Sequence, residues 1–247
     1  RARQAGIEVR GGMVLKLTKG DGGVFDLETS VKSLKAGEAP TIEHFFGRSV
    51  VVASGFEDGW PDIEVDEAVE RMARQNKMIY RYAGNAKGWH VCIWCDGHLH
   101  VDEHLALLGV GDYIYDVTVG AQDFTNKITI LTNGRPNGMS AEVRAKVEDR
   151  GIEIVEEKIV RHIGKGTELL GLAFADGQER FFDGFLVDEG LTPNTRFLEG
   201  WDYQTDEEGL IVVDGDRQLL DSEGNKIEGL FAAGDLVAGE RNLIATA

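Results

Sequence analysis

Gly88-Trp89-His90-Val91-Cys92-Ile93-Trp94-Cys95-Asp96-Gly97-His98-Leu99-His100 holds both cysteines of the 247-residue chain. Two thiols separated by two residues close a small disulfide ring when they open a helix, whose N-terminus favours the thiolate that exchange chemistry needs. The pair therefore reads first as a redox dithiol. Two other readings stand beside it. One is a metal site, because Cys92, Cys95, His100 and His104 have a zinc-like Cys-x2-Cys-x4-His-x3-His spacing. The other is a pair of packed cysteines without chemistry. Asp96 favours the redox reading, since a carboxylate beside a dithiol shuttles the proton that a leaving thiolate takes. Trp89, His90 and Trp94 flank the pair as shields, partner contacts or packing.

Downstream of this stretch, residues 104–111 read as a strand entering a glycine turn, and 127–134 as a second strand one helix later. That is a βαβ unit, which implies a parallel sheet. Residues 141–150 read as a helix, 151–155 as a strand, and 158–182 as short strands with turns at Gly164 to Gly166 and Asp176-Gly177. Upstream, residues 65–75 have helical spacing of apolar side chains, with acids early and arginines late. The continuous apolar run at 49–55 suits a sheet covered on both faces. Residues 7–10, 13–17 and 24–29 read as a small antiparallel meander, and Gly59-Trp60-Pro61 marks a linker. Phe185-Leu186-Val187 is expected to begin the return to a different sheet, continued by 210–213 and by 227–235, which ends in Gly234-Asp235.

The formal charge of −17 argues against nucleic acid and anionic membrane as partners, because phosphates would be repelled. No apolar run approaches the roughly 18 residues of a membrane span, and no signal peptide opens the chain. A cytoplasmic, reducing compartment is expected, where a cysteine pair serves catalysis or metal binding rather than cross-linking. Length favours two domains. The chain begins at Arg1 in what reads as the tail of a helix, so a preceding segment is expected.

The order of these elements and several strings resemble the low-molecular-weight thioredoxin reductases, a family of FAD disulfide reductases. The resemblance rests on Cys92-Ile93-Trp94-Cys95-Asp96-Gly97, on Ala53-Ser54-Gly55 in place of the family's Ala-Thr-Gly, on Gly190-x-x-Pro193-Asn194-Thr195, and on Gly229-Leu230-Phe231-Ala232-Ala233-Gly234-Asp235. Arg241-Asn242-Leu243-Ile244-Ala245-Thr246-Ala247 is similar to the segment that follows in the family. The resemblance implies an α/β chain of two Rossmann-like three-layer domains. Residues 1–60 and 184–247 would form a discontinuous FAD domain whose Gly-x-Gly-x-x-Gly segment precedes Arg1, and residues 61–183 an inserted pyridine-nucleotide-type domain carrying the cysteines. It further implies FAD contacts from Ala53, Ser54, Gly55, Gly234 and Asp235, with Arg241, Asn242, Leu243 and Ile244 near the pyrimidine edge of the ring. Cys95 would face the flavin, Cys92 would attack the disulfide of thioredoxin, Asp96 would manage protons, and the protein would be a homodimer.

Two departures from the family pattern concern the electron donor. The nucleotide turn reads Gly109-Val110-Gly111-Asp112-Tyr113-Ile114, with a β-branched residue where a third small one lets pyrophosphate reach the helix amides. The next strand ends Thr132-Asn133-Gly134-Arg135, with one cation where the family places a 2′-phosphate-gripping cluster. The chain is thus most similar to the pyridine-nucleotide-independent members, and ferredoxin is the expected donor. An NADPH- or NADH-dependent reductase with an atypical pocket, and a zinc-bound or redox-inert flavin-fold binding module, are the alternatives.

Overall fold

The computed structural model describes residues 3–31, 40–64 and 77–239. The helix expected over 65–75 and the segment 241–247 lie outside the described residues. The chain divides into two compact units, residues 1–57 with 192–247, and residues 58–191.

In the first unit, strands Gly12–Lys19, Phe25–Val31 and Thr41–Gly47 form an antiparallel meander. The expected strand at 7–10 is replaced by Thr41–Gly47, which pairs with Phe25–Val31 along its full length. Ile7 and Val9 stay exposed, so two apolar side chains with no face to cover give that stretch nothing to bury. A second sheet has Lys226–Ala232 at its centre, antiparallel to Gln218–Leu220 and parallel to Val50–Val52. Among the described residues Val50–Val52 is an edge strand, not the doubly covered one expected: Val52 is buried, but Val51 is 62% exposed. Around residues 210–213 the chain makes isolated bridges rather than a strand. Phe25 stacks on Trp201, whose indole N–H donates to the Leu17 carbonyl, and both pack in a core with Val52, Leu219, Leu230 and Ala232.

The second unit is built on a five-stranded parallel sheet in the order Trp89–His90, Gly184–Val187, Leu105–Leu108, Ile128–Leu131, Glu153–Val155. Helix Tyr113–Ala121 connects the third strand in that order to the fourth, and helix Ala141–Asp149 the fourth to the fifth, as the βαβ reading requires. Side chains alternate between two faces with the strand period of two. Leu105, Leu107, Ile130 and Leu186 pack with Ile114, Val117 and Val147 of the helices. Ala106, Leu108, Phe185 and Val187 pack with Ile159, Leu172 and Phe174 of an antiparallel sheet made by Ile159–Lys165, Glu168–Phe174 and Glu179–Phe181. Each such large apolar side chain contributes about 1.5–3 kcal/mol. The unit has three layers: helices, parallel sheet, antiparallel sheet.

The expected boundary at 183/184 therefore moves to 191/192. Phe185-Leu186-Val187 is a buried strand, as its apolar run indicates, but it belongs to the middle of the second unit's sheet. Among the described residues no helix is long and apolar enough to cross a membrane.

The antiparallel sheet also fixes the start of the cysteine stretch. The Trp89 indole N–H donates to His162 Nε2 (3.2 Å), and His162 Nδ1 meets Glu64 Oε2 (2.9 Å). His162 is buried, and burial lowers its pKa against the opposing pull of Glu64. Because the folded state holds His162 neutral, an unfolded chain takes up a proton there that the folded chain refuses. This contribution is complete above the ordinary histidine pKa of about 6.5 and is lost as pH falls through the depressed folded value. Urea midpoints measured from pH 8 to pH 5 should decline with acid. The His162→Gln variant should decline less steeply, by up to about 1.4 kcal/mol per pH unit. Parallel profiles for the two proteins would contradict this.

Candidate active site

Cys92 follows the edge strand Trp89–His90 and is the N-cap of the short helix Ile93–Asp96. Its extended backbone and the acceptance of the Cys95 N–H by its Sγ (3.2 Å) start the turn. Ile93 anchors the turn in the helix-side core. Gly97 is required behind it, since a Cβ there would lie 2.4 Å from the Phe124 ring. Cys92 and Cys95 are joined as a disulfide with Cα atoms 5.3 Å apart. Cys92 is half-buried, Cys95 is exposed, and Trp94 between them is 60% exposed.

The zinc-like spacing does not gather into a site. Both cysteines are oxidised, His100 turns to His90 and Glu103, and His104 Nε2 meets Thr129 Oγ1 (2.9 Å). Among the described residues no cluster of three or more His, Cys, Asp or Glu is placed to hold a metal ion.

A chain of four polar side chains forms instead. Asp96 Oδ2 lies 2.9 Å from His90 Nδ1, His90 Nε2 lies 3.1 Å from His100 Nε2, and His100 Nδ1 lies 2.8 Å from Glu103 Oε2. Both imidazoles are buried, while the two carboxylates are partly exposed. Sequence reasoning found Asp96 but missed this chain, having treated His90 as a flanking ring and His100 as a zinc candidate. Beside Asp96 and His90 opens a cleft of about 520 Å³ lined by Trp60, Tyr80, Trp89, Val91 and Leu99.

At the carboxyl edge of the parallel sheet, both departures from a nucleotide pocket take physical form. Ile114 is fully buried in the helix-side core and would meet a Cβ on Gly109 at 2.8 Å, so a β-branched side chain stands between helix and strand at the turn, where a small one would let them pack closer. The Gly111 N–H is engaged by the Asn137 carbonyl (2.6 Å), and the Asp112 carboxylate accepts from the Ser140 N–H (2.6 Å) at the start of the helix. Arg135 is held by Glu189 through both terminal nitrogens, while its Nε donates to the Thr132 carbonyl (3.1 Å). Glu189 was not singled out from the sequence; the acidic pair Asp188-Glu189 after a buried strand was the available signal. Burial raises the pKa of its neighbour Asp188.

In the first unit, Ala53-Ser54-Gly55 and Gly234-Asp235 follow two paired parallel strands at their carboxyl ends, where open α/β sheets bind ligands. Ser54 Oγ donates to the Asn194 carbonyl (2.6 Å), and Asn194 Nδ2 returns a bond to the Ser54 carbonyl (3.1 Å). Gly55 and Gly234 have φ of +62° and +80°, and nothing lies within 4 Å of a Cβ built on either. Small residues, turned backbone and open space fit a bulky cofactor at this edge. Arg241, Asn242, Leu243 and Ile244 lie outside the described residues.

A family model described as pyridine nucleotide-disulphide oxidoreductase matches residues 1–247. Among curated proteins the chain is similar to the thioredoxin reductase of Aquifex aeolicus (strain VF5), with 26% identity over 79% of this chain and 56% of that protein. It is also similar to the NADH dehydrogenase of Bacillus subtilis (strain 168), with 28% identity over 64% of this chain and 31% of that protein. The chain thus spans from about a third to about half of the length of these relatives. The structure of a thioredoxin reductase from Streptococcus pyogenes MGAS5005 superposes with a TM-score of 0.70 at 19% identity, covering 99% of this chain and 71% of that one. At that identity the likeness is one of fold.

Proposed function

The chain belongs to the pyridine nucleotide-disulphide oxidoreductase family, and from that premise we propose that it passes electrons from FAD through the Cys92/Cys95 pair to a thioredoxin-like disulfide. The family and the thioredoxin reductases of this fold are FAD-binding flavoproteins. The observation that carries the proposal is the Cys92–Cys95 disulfide itself, formed on an exposed turn with Asp96 adjoining it. A bound FAD would supply the two electrons that open this disulfide. Ala53, Ser54, Gly55, Gly234 and Asp235 would hold it, with Arg241, Asn242, Leu243 and Ile244 completing the contacts. By the family resemblance Cys95 is the electron-accepting side, and Cys92 attacks the partner's disulfide to give a mixed disulfide that Cys95 resolves.

Ferredoxin is the proposed electron donor. In support, Ile114 stands where a small residue would let the helix pack close to the turn, the Gly111 amide is engaged, and Glu189 neutralises Arg135. A second reading, an NADH- or NADPH-dependent reductase, is favoured by the name of the Bacillus subtilis relative, an NADH dehydrogenase. Thioredoxin as partner follows the name of the Aquifex aeolicus relative. A homodimer and a cytoplasmic setting rest on family likeness and on the reducing environment that a working dithiol requires.

Purified full-length protein should be yellow and carry about one FAD per chain, measured by absorbance after heat release of the cofactor. Colourless folded protein with stoichiometric zinc would favour the binding-module alternative and remove the redox role of the cysteines.

A further inference from the structure

We propose that His90, His100 and Glu103 form a proton relay that feeds Asp96 and through it the leaving sulfur of the cysteine pair; this rests on the disulfide-reductase reading above. Three contacts join four groups in a line from Glu103, 45% exposed, through two buried rings to Asp96, the residue after Cys95. Each contact needs one proton between its two heavy atoms. Two neutral imidazoles flanked by two carboxylates bring only two, so every such arrangement sets two lone pairs against each other at one contact. The line is satisfied by three protons, one of them free to sit on Asp96, between the rings, or on Glu103. A buried polar line with an unmet contact is costly, so the geometry holds a place for the third proton that a relay passes along. The fold makes room for it: a Cβ on Gly184 would lie 2.7 Å from His100 Nδ1 and Cε1. Asp183, beside Gly184, has a carboxylate oxygen on the His104 N–H, and His104 meets Thr129, so neither enters the line.

Reduction of the pair by a dithiol shows the balance. The Cys92 Sγ–Cys95 Sγ bond breaks and the reductant's own S–S bond forms. Two electrons pass to the protein, the reductant releases its two thiol protons, and the two protein sulfurs take up two. The relay supplies one of these: Asp96 gives its proton to Cys95 Sγ as it leaves, His90 Nδ1 reprotonates Asp96, His100 refills His90, and Glu103 returns a proton from solvent. His90 and His100 act only through Asp96, so they are positioning residues.

The test is single-turnover reduction of Cys92–Cys95 by dithiothreitol in the full-length protein, quantified by alkylation and normalised to the dithiothreitol thiolate present at each pH. The normalised wild-type rate should stay level from pH 6 to 8. His90→Gln and His100→Gln keep hydrogen-bonding groups but cannot pass a proton, and should fall at least about tenfold towards pH 8. Asp96→Asn should fall as far, and Asp96→Asn/His90→Gln no further than Asp96→Asn alone. Multiplied losses in the double variant, or variants that match wild type, would overturn the relay while leaving the dithiol intact. A disulfide that dithiothreitol does not reduce would overturn both proposals. Should His90→Gln not fold, His100→Gln at the far end of the line decides the question, together with the wild-type imidazole proton resonance. A strongly downfield resonance that His100→Gln abolishes supports the relay, and its absence from wild type contradicts it.

Discussion

The Cys92→Ser variant should lose thioredoxin reduction by at least about a thousandfold while keeping its full complement of FAD. Removing the attacking sulfur leaves only Cys95, which the proposal assigns to the flavin side, and serine at pH 7 is a far weaker nucleophile than a thiolate. The substitution is otherwise gentle. Cys92 is an N-cap whose side chain accepts the Cys95 N–H, and serine is a preferred N-cap residue that makes the same bond through oxygen. Neither cysteine is among the residues proposed to hold the flavin, so cofactor content should match wild type. Turnover assayed with oxidised thioredoxin at saturating donor reads the loss. Turnover within tenfold of wild type, or flavin lost in step with activity, would contradict the assignment of Cys92.

The second large effect concerns the donor. Under anaerobic mixing, reduced ferredoxin should bleach the flavin, whereas NADPH and NADH should do so at least about a hundredfold more slowly. For NADPH the magnitude follows from contacts it would forgo: two charge-assisted hydrogen bonds to its 2′-phosphate, at about 1.5–3 kcal/mol each, correspond to about two orders of magnitude or more. NADH has no 2′-phosphate, and its slowness rests on the pyrophosphate turn alone. Arg135 cannot supply them while Glu189 grips its terminal nitrogens. The Asp112 carboxylate at the helix start would also face a pyrophosphate with like charge. Stopped-flow absorbance is the measurement. The Glu189→Gln/Ile114→Ala variant should narrow the gap by releasing the guanidinium and opening the turn. Rapid bleaching of the wild-type flavin by micromolar NADPH would restore a nucleotide-dependent reductase.

How far the sequence disclosed this molecule depends on the range of the interaction concerned. Leu105–Leu108, Ile128–Leu131 and the helix Tyr113–Ala121 were legible because a run of apolar residues, a glycine turn and a βαβ spacing are local signals. The buried character of Phe185–Val187 was equally legible, but its place was not. Strand order is fixed by pairing with Trp89–His90 and Leu105–Leu108, more than 70 residues away, and apolar residues in a run do not name their neighbours. Thr41–Gly47 was overlooked because its partly polar pattern gains its stability from the full register with Phe25–Val31.

At the site, Cys92, Cys95 and Asp96 were legible because they are contiguous. The line through His90 and His100 was not, because it joins a strand end to a turn ten residues later across a fold contact. The engagement of Arg135 was half legible. The sequence showed one cation where a cluster was expected, and the structure adds Glu189, 54 positions away, as the group that holds it.

The central claim, that electrons reach a partner through Cys92 and Cys95, is tested most directly by counting thiols. The full-length flavoprotein should be reduced anaerobically until its flavin is bleached, then alkylated and digested for mass spectrometry, with and without prior addition of oxidised thioredoxin. Alkyl groups on both Cys92 and Cys95 after reduction, and their disappearance once thioredoxin has been added, is the predicted result. A bleached flavin with both cysteines still refractory to alkylation, or alkylation unchanged by thioredoxin, would contradict it.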